Sequence, residues 1–345
     1  MNRFIKIIFG IIGVLILILI FNFIDKKNSS SMGTISITPA ENTSTGHELS
    51  LSLVVMRQKE YPGSDLKIEQ TLTSKPNYNQ YIASYLSDGL TIYGLLTVPK
   101  GSPPEGGWPA IIFNHGYIQP DIYTTTGRYV AYVDYFARNG YIVFKSDYRG
   151  NGKSEGDPEG SYYSPAYTTD VLNALSSIKK YPGVNPDKIG MWGHSMGGNI
   201  TLRSLEISPD IKAAVIWGGV TGSYNDLINN WPHKSSYRPG PRELQLRNQN
   251  RQTLISLLGS DYASSGWQAI DPTYHLDLIN TPIQLDHGLA DNEVPVEFSD
   301  NLKLGLDKIG KKVEYYTYPE ADHNISQSFS LAMSRSLAFF DQYLK

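Results

Sequence analysis

The sequence contains no cysteine among its 345 residues. This absence excludes disulfide bonds, thiolate metal sites, a cysteine nucleophile and thioether-linked lipid. A strong excess of charge is also missing, since 30 basic residues stand against 33 acidic ones and the formal net charge is -3. We therefore expect no nucleic-acid partner and no polybasic contact with a membrane surface. No two histidines stand at metal-ligand spacing, so we expect neither a metal nor a cofactor.

An uncharged apolar run from Ile7 to Ile24 follows two basic residues, Arg3 and Lys6. As a helix rising about 1.5 Å per residue, this run would span roughly 27 Å, close to the thickness of a bilayer core. We predict a single-pass membrane anchor over residues 1–27, with the N-terminus in the cytoplasm and the rest of the chain outside it. The alternative is a secretory signal cleaved near residues 29–31, after which the chain would be secreted.

A segment rich in Ser, Thr, Asn and Gly follows over residues 28–47, and we interpret it as a flexible tether. Residues 48–345 are expected to form one folded domain. That domain opens with β-rich runs separated by turn residues, which is typical of an antiparallel lead-in to a sheet. The runs are Leu49 to Met56, Lys67 to Thr73, Tyr78 to Leu86 and Leu90 to Val98.

From Pro109 onwards, short apolar runs alternate with helical stretches, a pattern typical of strands buried on both faces of a parallel sheet. Strands are predicted at 110–114, 141–146, 189–193, 213–217, 283–287 and 313–318. The sequence thus predicts an α/β fold with a mostly parallel central sheet and flanking helices. A long insertion interrupts the alternation, and we interpret its residues, about 221–270, as a helical lid. A surface insertion without function is the alternative.

The sequence Gly-His-Ser-Met-Gly-Gly at residues 193–198 stands between a predicted strand and a predicted helix. In this context G-x-S-x-G places the serine on a sharp, strained turn, with its hydroxyl exposed above the sheet. Glycines are needed on both sides because bulky side chains would clash there. The helix N-terminus behind the serine directs N–H groups toward developing negative charge. We therefore predict that Ser195 is a catalytic nucleophile.

A serine nucleophile requires a histidine base and a carboxylate that orients the histidine. We predict His323 as the base, because it follows the last predicted strand and the chain order for this motif is nucleophile, acid, histidine. We predict Asp291 as the acid, in the turn-rich loop after the preceding strand. Its nearest rival, Asp286, should lie inside that strand. The remaining candidates are interpreted as packing, tether, lid or loop residues: His47, His115, His194, His233, His275, His287, Asp226, Glu293 and Asp322.

Backbone N–H groups must also face the substrate carbonyl oxygen, which becomes negative when the serine attacks. Each such donor lowers the activation barrier of the reaction by roughly 3 kcal/mol. The turn around the serine assigns one of these roles to the N–H of Met196. We predict the N–H of Tyr117 as the second donor, because Gly116 lets the loop after strand 110–114 approach the site. The glycines of residues 147–156 lack the spacing of a phosphate-binding loop.

Four segments carry motifs in a fixed order: DYRG at 147–150, GHSMGG at 193–198, HGxxDxxVP at 287–295 and YPxxDH at 318–323. Together they resemble the catalytic domain of the prolyl oligopeptidase family of serine peptidases and its esterase relatives, within the α/β-hydrolase superfamily. The resemblance extends from about Leu90 to the C-terminus. It implies a serine hydrolase that cleaves ester or peptide bonds of a small substrate through an acyl-enzyme. The implied site residues are Ser195, Asp291 and His323, with Tyr117 and Met196 at the oxyanion positions.

Two departures from this family leave other interpretations open. The large peptidases place a β-propeller before the catalytic domain, and the segment between the tether and Leu90 is too short for one. Their loop after the corresponding strand usually reads His-Gly-Gly-Pro, whereas residues 115–118 read His-Gly-Tyr-Ile. A single-domain carboxylesterase or acyl esterase is therefore the alternative, and a catalytically inactive binding protein is a more remote one. The sequence indicates no oligomeric state.

Overall fold

A nine-stranded sheet forms the centre of the protein, in the order β1-β2-β3-β5-β4-β6-β7-β8-β9. The computed structural model describes residues 50–231 and 238–345. The strands are β1 Lys67–Thr71, β2 Tyr78–Ser87, β3 Leu90–Pro99, β4 Trp108–Asn114, β5 Ile142–Ser146, β6 Val184–His194, β7 Ala213–Trp217, β8 Ile283–Gly288 and β9 Val313–Tyr318. Neighbouring strands are antiparallel from β1 through β2 and β3 to β5. They are parallel from β5 through β4, β6, β7 and β8 to β9. The predicted mostly parallel sheet is confirmed.

The helices flank this sheet. They are α1 Leu53–Gln58, α2 Val130–Arg138, α3 Ala166–Lys179, α4 Met196–Ile207, α5 Pro241–Leu258, α6 Ser265–Ile270, α7 Glu297–Lys308 and α8 Phe329–Leu344. Within residues 50–231 and 238–345, none is both long and apolar enough to cross a bilayer. The predicted anchor at 1–27 and the predicted tether at 28–47 lie outside the described residues.

Each face of the sheet is covered by its own apolar layer. Strand β4 contributes alternately to the two layers, with Ile112 on one face and Ile111 and Phe113 on the other. Helices α3, α4 and α7 pack into the first layer, and α2 and α8 into the second. Because both faces are buried, the central strands need apolar residues at every position rather than at alternate ones. This explains the continuous apolar runs in the sequence.

The prediction of a strand over Leu49 to Met56 is wrong for its described part. Residues Leu53–Gln58 form helix α1, with Leu53 and Met56 buried and Val54 57% exposed. Residues three apart lie on the same face of a helix but on opposite faces of a strand. Burial of both Leu53 and Met56, the latter in the first apolar layer, therefore favours the helix.

The insertion between β7 and β8 is helical in its described parts. It contains a π-helical turn at Asp226–Asn230, followed by α5 and α6. Residues 232–237 of the insertion lie outside the described residues. Leu254 and Trp267 of the insertion share a third apolar cluster with Val294 and Phe298, which follow β8. The insertion thus packs beside the loop that contains Asp291, and its role as a lid stays a prediction.

One acidic side chain of the described core has no hydrogen-bond partner for either of its oxygens. Glu206 on α4 is 0% exposed, and neither carboxylate oxygen accepts a hydrogen bond in the described residues. Burial raises the pKa of Glu206 well above its usual value, and the nearby Arg203 only partly opposes this effect. Burial therefore favours the neutral form of this carboxyl group in the folded protein.

We predict that Glu206→Gln stabilises the protein increasingly as the pH rises. Above about pH 4.3, the unfolded chain releases the Glu206 proton while the folded protein retains it, so the wild-type protein loses up to about 1.4 kcal/mol per pH unit. Glutamine has no proton to release. Urea unfolding of both proteins between about pH 4.5 and 7.5 measures the difference, and a difference independent of pH would contradict the prediction.

Candidate active site

Ser195 occupies a strained turn between β6 and α4. Its φ of 56° and ψ of -120° lie in a region that residues with a Cβ rarely adopt. The Ser195 N–H donates to the Trp217 carbonyl at 3.0 Å, and its carbonyl accepts the N–H of Gly198 at 2.9 Å and of Val220 at 3.0 Å. Helix α4 begins immediately at Met196. The serine is therefore fixed at the helix N-terminus.

The flanking glycines permit this turn because the backbone passes very close to its neighbours. A Cβ on Gly193 would lie 2.4 Å from the Gly197 carbonyl oxygen and 2.3 Å from Thr201 Oγ1. A Cβ on Gly197 would lie 2.0 Å from the Asn114 carbonyl oxygen. Such distances are far below van der Waals contact. Both positions therefore require glycine, as the motif predicts.

The loops after β8 and β9 contain the predicted acid and base, and their backbones are joined. The Leu289 N–H donates to the Tyr318 carbonyl at 2.9 Å, and the Ala290 N–H to the Ala321 carbonyl at 3.0 Å. Because β8 and β9 are parallel neighbours, their carboxyl ends meet at one edge of the sheet. As a result, His323 Nδ1 lies 2.7 Å from Asp291 Oδ2.

Four donors surround the Asp291 carboxylate. Oδ1 accepts the N–H groups of Glu293 and Val294, while Oδ2 lies 3.2 Å from His287 Nε2 and 2.7 Å from His323 Nδ1. The side chain is only 1% exposed. Burial alone would raise the pKa of Asp291, but the hydrogen bonds from His287 and His323 outweigh burial and hold the pKa well below its usual value. Asp291 is therefore ionised and held in one orientation.

Gly218 lies directly against this pair. A Cβ at residue 218 would lie 3.2 Å from His323 Nδ1 and 3.3 Å from Asp291 Oδ2, and the φ of Gly218 is +48°. The Gly218 N–H donates to the Asp286 carbonyl at 2.8 Å. The end of β7 thus supports the imidazole and carboxylate from one side. Sequence reasoning missed Gly218, although a glycine after a strand end was the available signal.

In the described residues, the side chains of Asp286, Asp322 and Asp226 form hydrogen bonds with partners other than His323. Asp286 is fully buried in β8 and accepts hydrogen bonds from Gln284 Nε2 at 2.6 Å and the Tyr318 hydroxyl at 2.5 Å. Burial raises the pKa of Asp286 to about 7. Asp322 accepts the N–H groups of Asn324 and Ser326, and the Asp226 side chain binds Ser223 and Asn230. These contacts agree with the choice of Asp291 over its rivals.

The loop after β4 passes beside Ser195. A Cβ on Gly116 would lie 3.1 Å from Ser195 Cβ, so the loop backbone and the serine are immediate neighbours. Tyr117 and Met196, the two predicted oxyanion donors, line the same cavity as Ser195. As the first residue of α4, Met196 has no earlier helical carbonyl to bind with its N–H.

A chain of hydrogen bonds that the sequence did not predict connects this loop to the His323 loop. The Gly116 N–H donates to the Tyr129 hydroxyl at 2.9 Å, and that hydroxyl lies 2.7 Å from His194 Nδ1. His194 Nε2 lies 2.9 Å from the His323 carbonyl oxygen and must therefore carry the proton. Burial lowers the pKa of His194 to about 3, so the ring is neutral and accepts the Tyr129 proton.

Two other histidines have structural contacts, as predicted. His287 is buried between Ser299 Oγ at 2.7 Å and the Val294 carbonyl at 3.1 Å, and only its additional contact with Asp291 was missed. Its position four residues before Asp291 was the available signal. His115 stacks between the rings of Tyr123 and Tyr148 at 5.0 and 4.3 Å. Burial lowers the pKa of His115 to about 3, which fits a packing role.

A cavity of about 900 Å³ lies over these residues and is lined by Ser195, His194 and His323. Its walls come from the loop after β4, from residues 159–163, from the insertion and from the loops after β8 and β9. The side chain of Tyr117 joins two of these walls, because its hydroxyl donates to Glu243 Oε2 on α5 at 2.7 Å. Within the described residues, no cluster of His, Asp and Glu is arranged to hold a metal ion.

Comparisons with known proteins bear on the fold. A family profile described as "Serine aminopeptidase, S33" matches residues 109–256. The uncharacterized peptidase YtmA of Bacillus subtilis is 26% identical over 244 residues, which are 70% of this chain and 85% of that protein. A puromycin-hydrolysing peptidase of Mycobacterium tuberculosis superposes with a TM-score of 0.61 and 22% identity, over 78% of this chain but only 40% of its own. An acetyl xylan esterase of Paenibacillus sp. R4 superposes with a TM-score of 0.62 and 17% identity, over 89% of this chain and 96% of its own.

By its fold and its relatives, the chain is an α/β-hydrolase, as the sequence predicted. It is a hydrolytic enzyme of a superfamily whose members include both peptidases and esterases. The chain spans about two fifths of the length of the mycobacterial peptidase, so the additional parts of that protein have no counterpart in the match.

We predict that Tyr129→Phe destabilises the protein by about 2 kcal/mol, because the Gly116 N–H and His194 Nδ1 both lose their hydrogen-bond partner. Urea unfolding measures this loss. Tyr135→Phe is the matched control. Tyr135 lies on helix α2, which begins directly after Tyr129, and its hydroxyl forms no hydrogen bond with the described residues. Equal stability of the two variants would refute a role for the Tyr129 hydroxyl.

Proposed function

We propose that this protein is a serine hydrolase that transfers the acyl group of an ester or peptide to Ser195 and releases it with water. The observation that carries the proposal is the 2.7 Å contact of His323 Nδ1 with Asp291 Oδ2 beside the cavity that Ser195 also lines. The strained backbone of Ser195 supports it further, because this geometry exposes a nucleophile.

In the proposed reaction, Asp291 accepts the His323 Nδ1–H, which leaves Nε2 as the basic nitrogen. His323 removes the Ser195 proton while Ser195 Oγ attacks the substrate carbonyl carbon. Protonated His323 then gives its proton to the leaving alcohol or amine. Water, deprotonated by the same histidine, attacks the acyl-enzyme and restores the serine. The lowered pKa of Asp291 keeps the carboxylate charged, so that it stabilises the imidazolium in both halves of the reaction.

The oxyanion of each tetrahedral intermediate requires backbone donors near Ser195. We propose the N–H groups of Met196 and Tyr117 for this role. Met196 begins α4, where the helix dipole favours negative charge. Tyr117 follows Gly116, whose backbone passes beside the serine. Two such donors together would lower the barrier by roughly 6 kcal/mol, taking about 3 kcal/mol for each.

We predict that Ser195→Ala abolishes labelling by a fluorophosphonate probe, because the probe reacts only with an activated serine hydroxyl. Circular dichroism should show an unchanged fold, since alanine is smaller than serine. Ser102→Ala, in the exposed turn between β3 and β4 at the opposite end of the sheet, is the control and should label like the wild-type protein. Persistent labelling of Ser195→Ala would defeat the proposal.

A single-domain carboxylesterase or acyl esterase is the second candidate. The likeness to the acetyl xylan esterase favours it, because that likeness covers nearly the whole of both chains. The peptidase of known structure is covered to only 40%. A prolyl-oligopeptidase-like activity, in turn, is favoured by the motifs at 147–150, 193–198, 287–295 and 318–323 and by the similarity to the peptidase YtmA.

The two candidates predict different ratios of ester to peptide hydrolysis. A peptidase should hydrolyse peptide p-nitroanilides and acyl esters with comparable kcat/KM, whereas an esterase should prefer the esters by more than about a hundredfold, which is roughly 2.7 kcal/mol of transition-state binding. Parallel kinetics on p-nitroanilides and on acetyl and feruloyl esters measure this ratio. His323→Ala is the control for background hydrolysis in both series.

We also propose that residues 1–27 tether the enzyme to a membrane. This proposal rests on the apolar run from Ile7 to Ile24 alone.

A further inference from the structure

Tyr117, the proposed second oxyanion donor, lies in a part of the loop after β4 that belongs to neither a helix nor a strand. Hydroxyl groups from other elements hold the backbone just before it. The Tyr148 hydroxyl donates to the His115 carbonyl at 3.1 Å. The Tyr129 hydroxyl accepts the Gly116 N–H at 2.9 Å. The loop therefore depends on its contacts with other parts of the protein for its conformation.

The side chain of Tyr117 attaches this loop to the insertion between β7 and β8. Its hydroxyl donates to Glu243 Oε2 on α5 at 2.7 Å. The carbonyl oxygen of Arg238, also in the insertion, lies 3.3 Å from the same hydroxyl. Glu243 is only 7% exposed. Because little water competes for a buried acceptor, the hydrogen bond restrains both Tyr117 and Glu243.

Glu243 is itself held in place, because α5 is anchored to the domain by other contacts. Glu243 belongs to the first turn of α5, together with Pro241 and Arg242. Arg242 Nε donates to Asp157 Oδ1, in the loop after β5, at 2.8 Å. Further along α5, Leu254 is fully buried in the third apolar cluster. Glu243 thus provides a fixed point for the Tyr117 side chain.

The direction of the Tyr117 N–H decides whether it can act as an oxyanion donor. Such a donor lowers the barrier only when it points at the position that the oxygen takes in the transition state. A displacement of about 1 Å can reduce the rate about a hundredfold. Helix α4 fixes the N–H of Met196, but Tyr117 has no helix to fix its own. A hydrogen bond that limits rotation of the Tyr117 side chain also limits movement of its backbone.

We propose that Glu243 is a positioning residue, which holds the Tyr117 N–H in the orientation that the oxyanion requires. This inference rests on the proposed function, because Tyr117 must be an oxyanion donor in the reaction of Ser195. The insertion therefore contributes to the chemical step itself and not only to the walls of the cavity.

Steady-state kinetics with p-nitrophenyl acetate test the proposal. Tyr117→Phe removes only the hydroxyl, and Glu243→Leu replaces the acceptor by an apolar group of similar size. We expect kcat to fall at least about tenfold in Tyr117→Phe and at least about fivefold in Glu243→Leu, where the Arg238 carbonyl remains as a weaker acceptor. KM should stay within about twofold, because the oxyanion forms only in the transition state. The double variant should lose no more than Tyr117→Phe alone.

A second ester, p-nitrophenyl butyrate, distinguishes positioning from a change in the shape of the cavity. Each variant should lose the same factor in kcat with both esters, whereas a change of shape would alter KM and depend on the length of the acyl chain. Gln245→Leu is the matched control, since Gln245 is exposed on the same helix and outside the cavity. Its kcat and KM should equal those of the wild-type protein.

Unchanged kcat in Tyr117→Phe, additive losses in the double variant, or a loss carried mainly by KM would overturn the proposal. Circular dichroism checks that each variant folds. If Glu243→Leu does not fold, the kcat and KM of Tyr117→Phe decide the outcome alone.

The rate of fluorophosphonate labelling separates the two levels of inference. The phosphoryl oxygen of the probe takes the oxyanion position when Ser195 attacks, so labelling should slow by a similar factor in each variant. Absence of labelling and of ester hydrolysis in the wild-type protein would refute the proposed function. Labelling that depends on Ser195 but proceeds at the wild-type rate in Tyr117→Phe and Glu243→Leu would refute the role of Glu243 alone.

Discussion

The backbone of Ser195 is the constraint on which the rest of the site depends. Its left-handed conformation reverses the chain from β6 into α4 within one residue. Two glycines pack so closely around this reversal that any side chain on them would overlap the backbone of β4 or of the turn itself. The strain is stabilised by hydrogen bonds to the end of β7 and the segment after it. Strands β4, β6 and β7 must therefore all be in register before the serine can occupy its place.

The same edge of the sheet assembles the other site residues. Parallel pairing places the carboxyl ends of β8 and β9 side by side, and backbone hydrogen bonds then join the two loops. The chain from Gly116 through Tyr129 and His194 to His323 connects the loop after β4 to the loop after β9. Because Tyr129 and His194 each accept one hydrogen bond and donate another, removal of either changes what its neighbours can bind. The loops around Ser195 thus form one polar unit rather than independent segments.

Local patterns in the sequence were sufficient to predict the sheet and the positions of Ser195, Asp291 and His323. Ser195 directly follows β6, whereas Asp291 and His323 lie in the loops after β8 and β9, and parallel strands bring their carboxyl ends together. The contacts of Tyr129 and His194 were not predictable in the same way. They join residues that are 65 and 129 positions apart, and no periodicity in the chain records such a pairing.

The wrong prediction over Leu49 to Met56 has a related cause. A short apolar run is compatible with either a strand or a helix, and only the surface that it covers distinguishes them. Here Leu53 and Met56 are both buried, three residues apart on α1, and Met56 belongs to the first apolar layer.

Strand β1 forms one edge of the sheet. All five of its residues are exposed, and its outer backbone groups face away from β2. An open edge of this kind is a template on which a strand of another chain could add and begin aggregation. The pairing of β1 with β2 is irregular between Ile68 and Gln70, and Lys67 and Glu69 place opposite charges on the strand. A bulge and charged side chains are what proteins use to discourage such addition, so the short, irregular β1 protects the sheet from growing beyond its own chain.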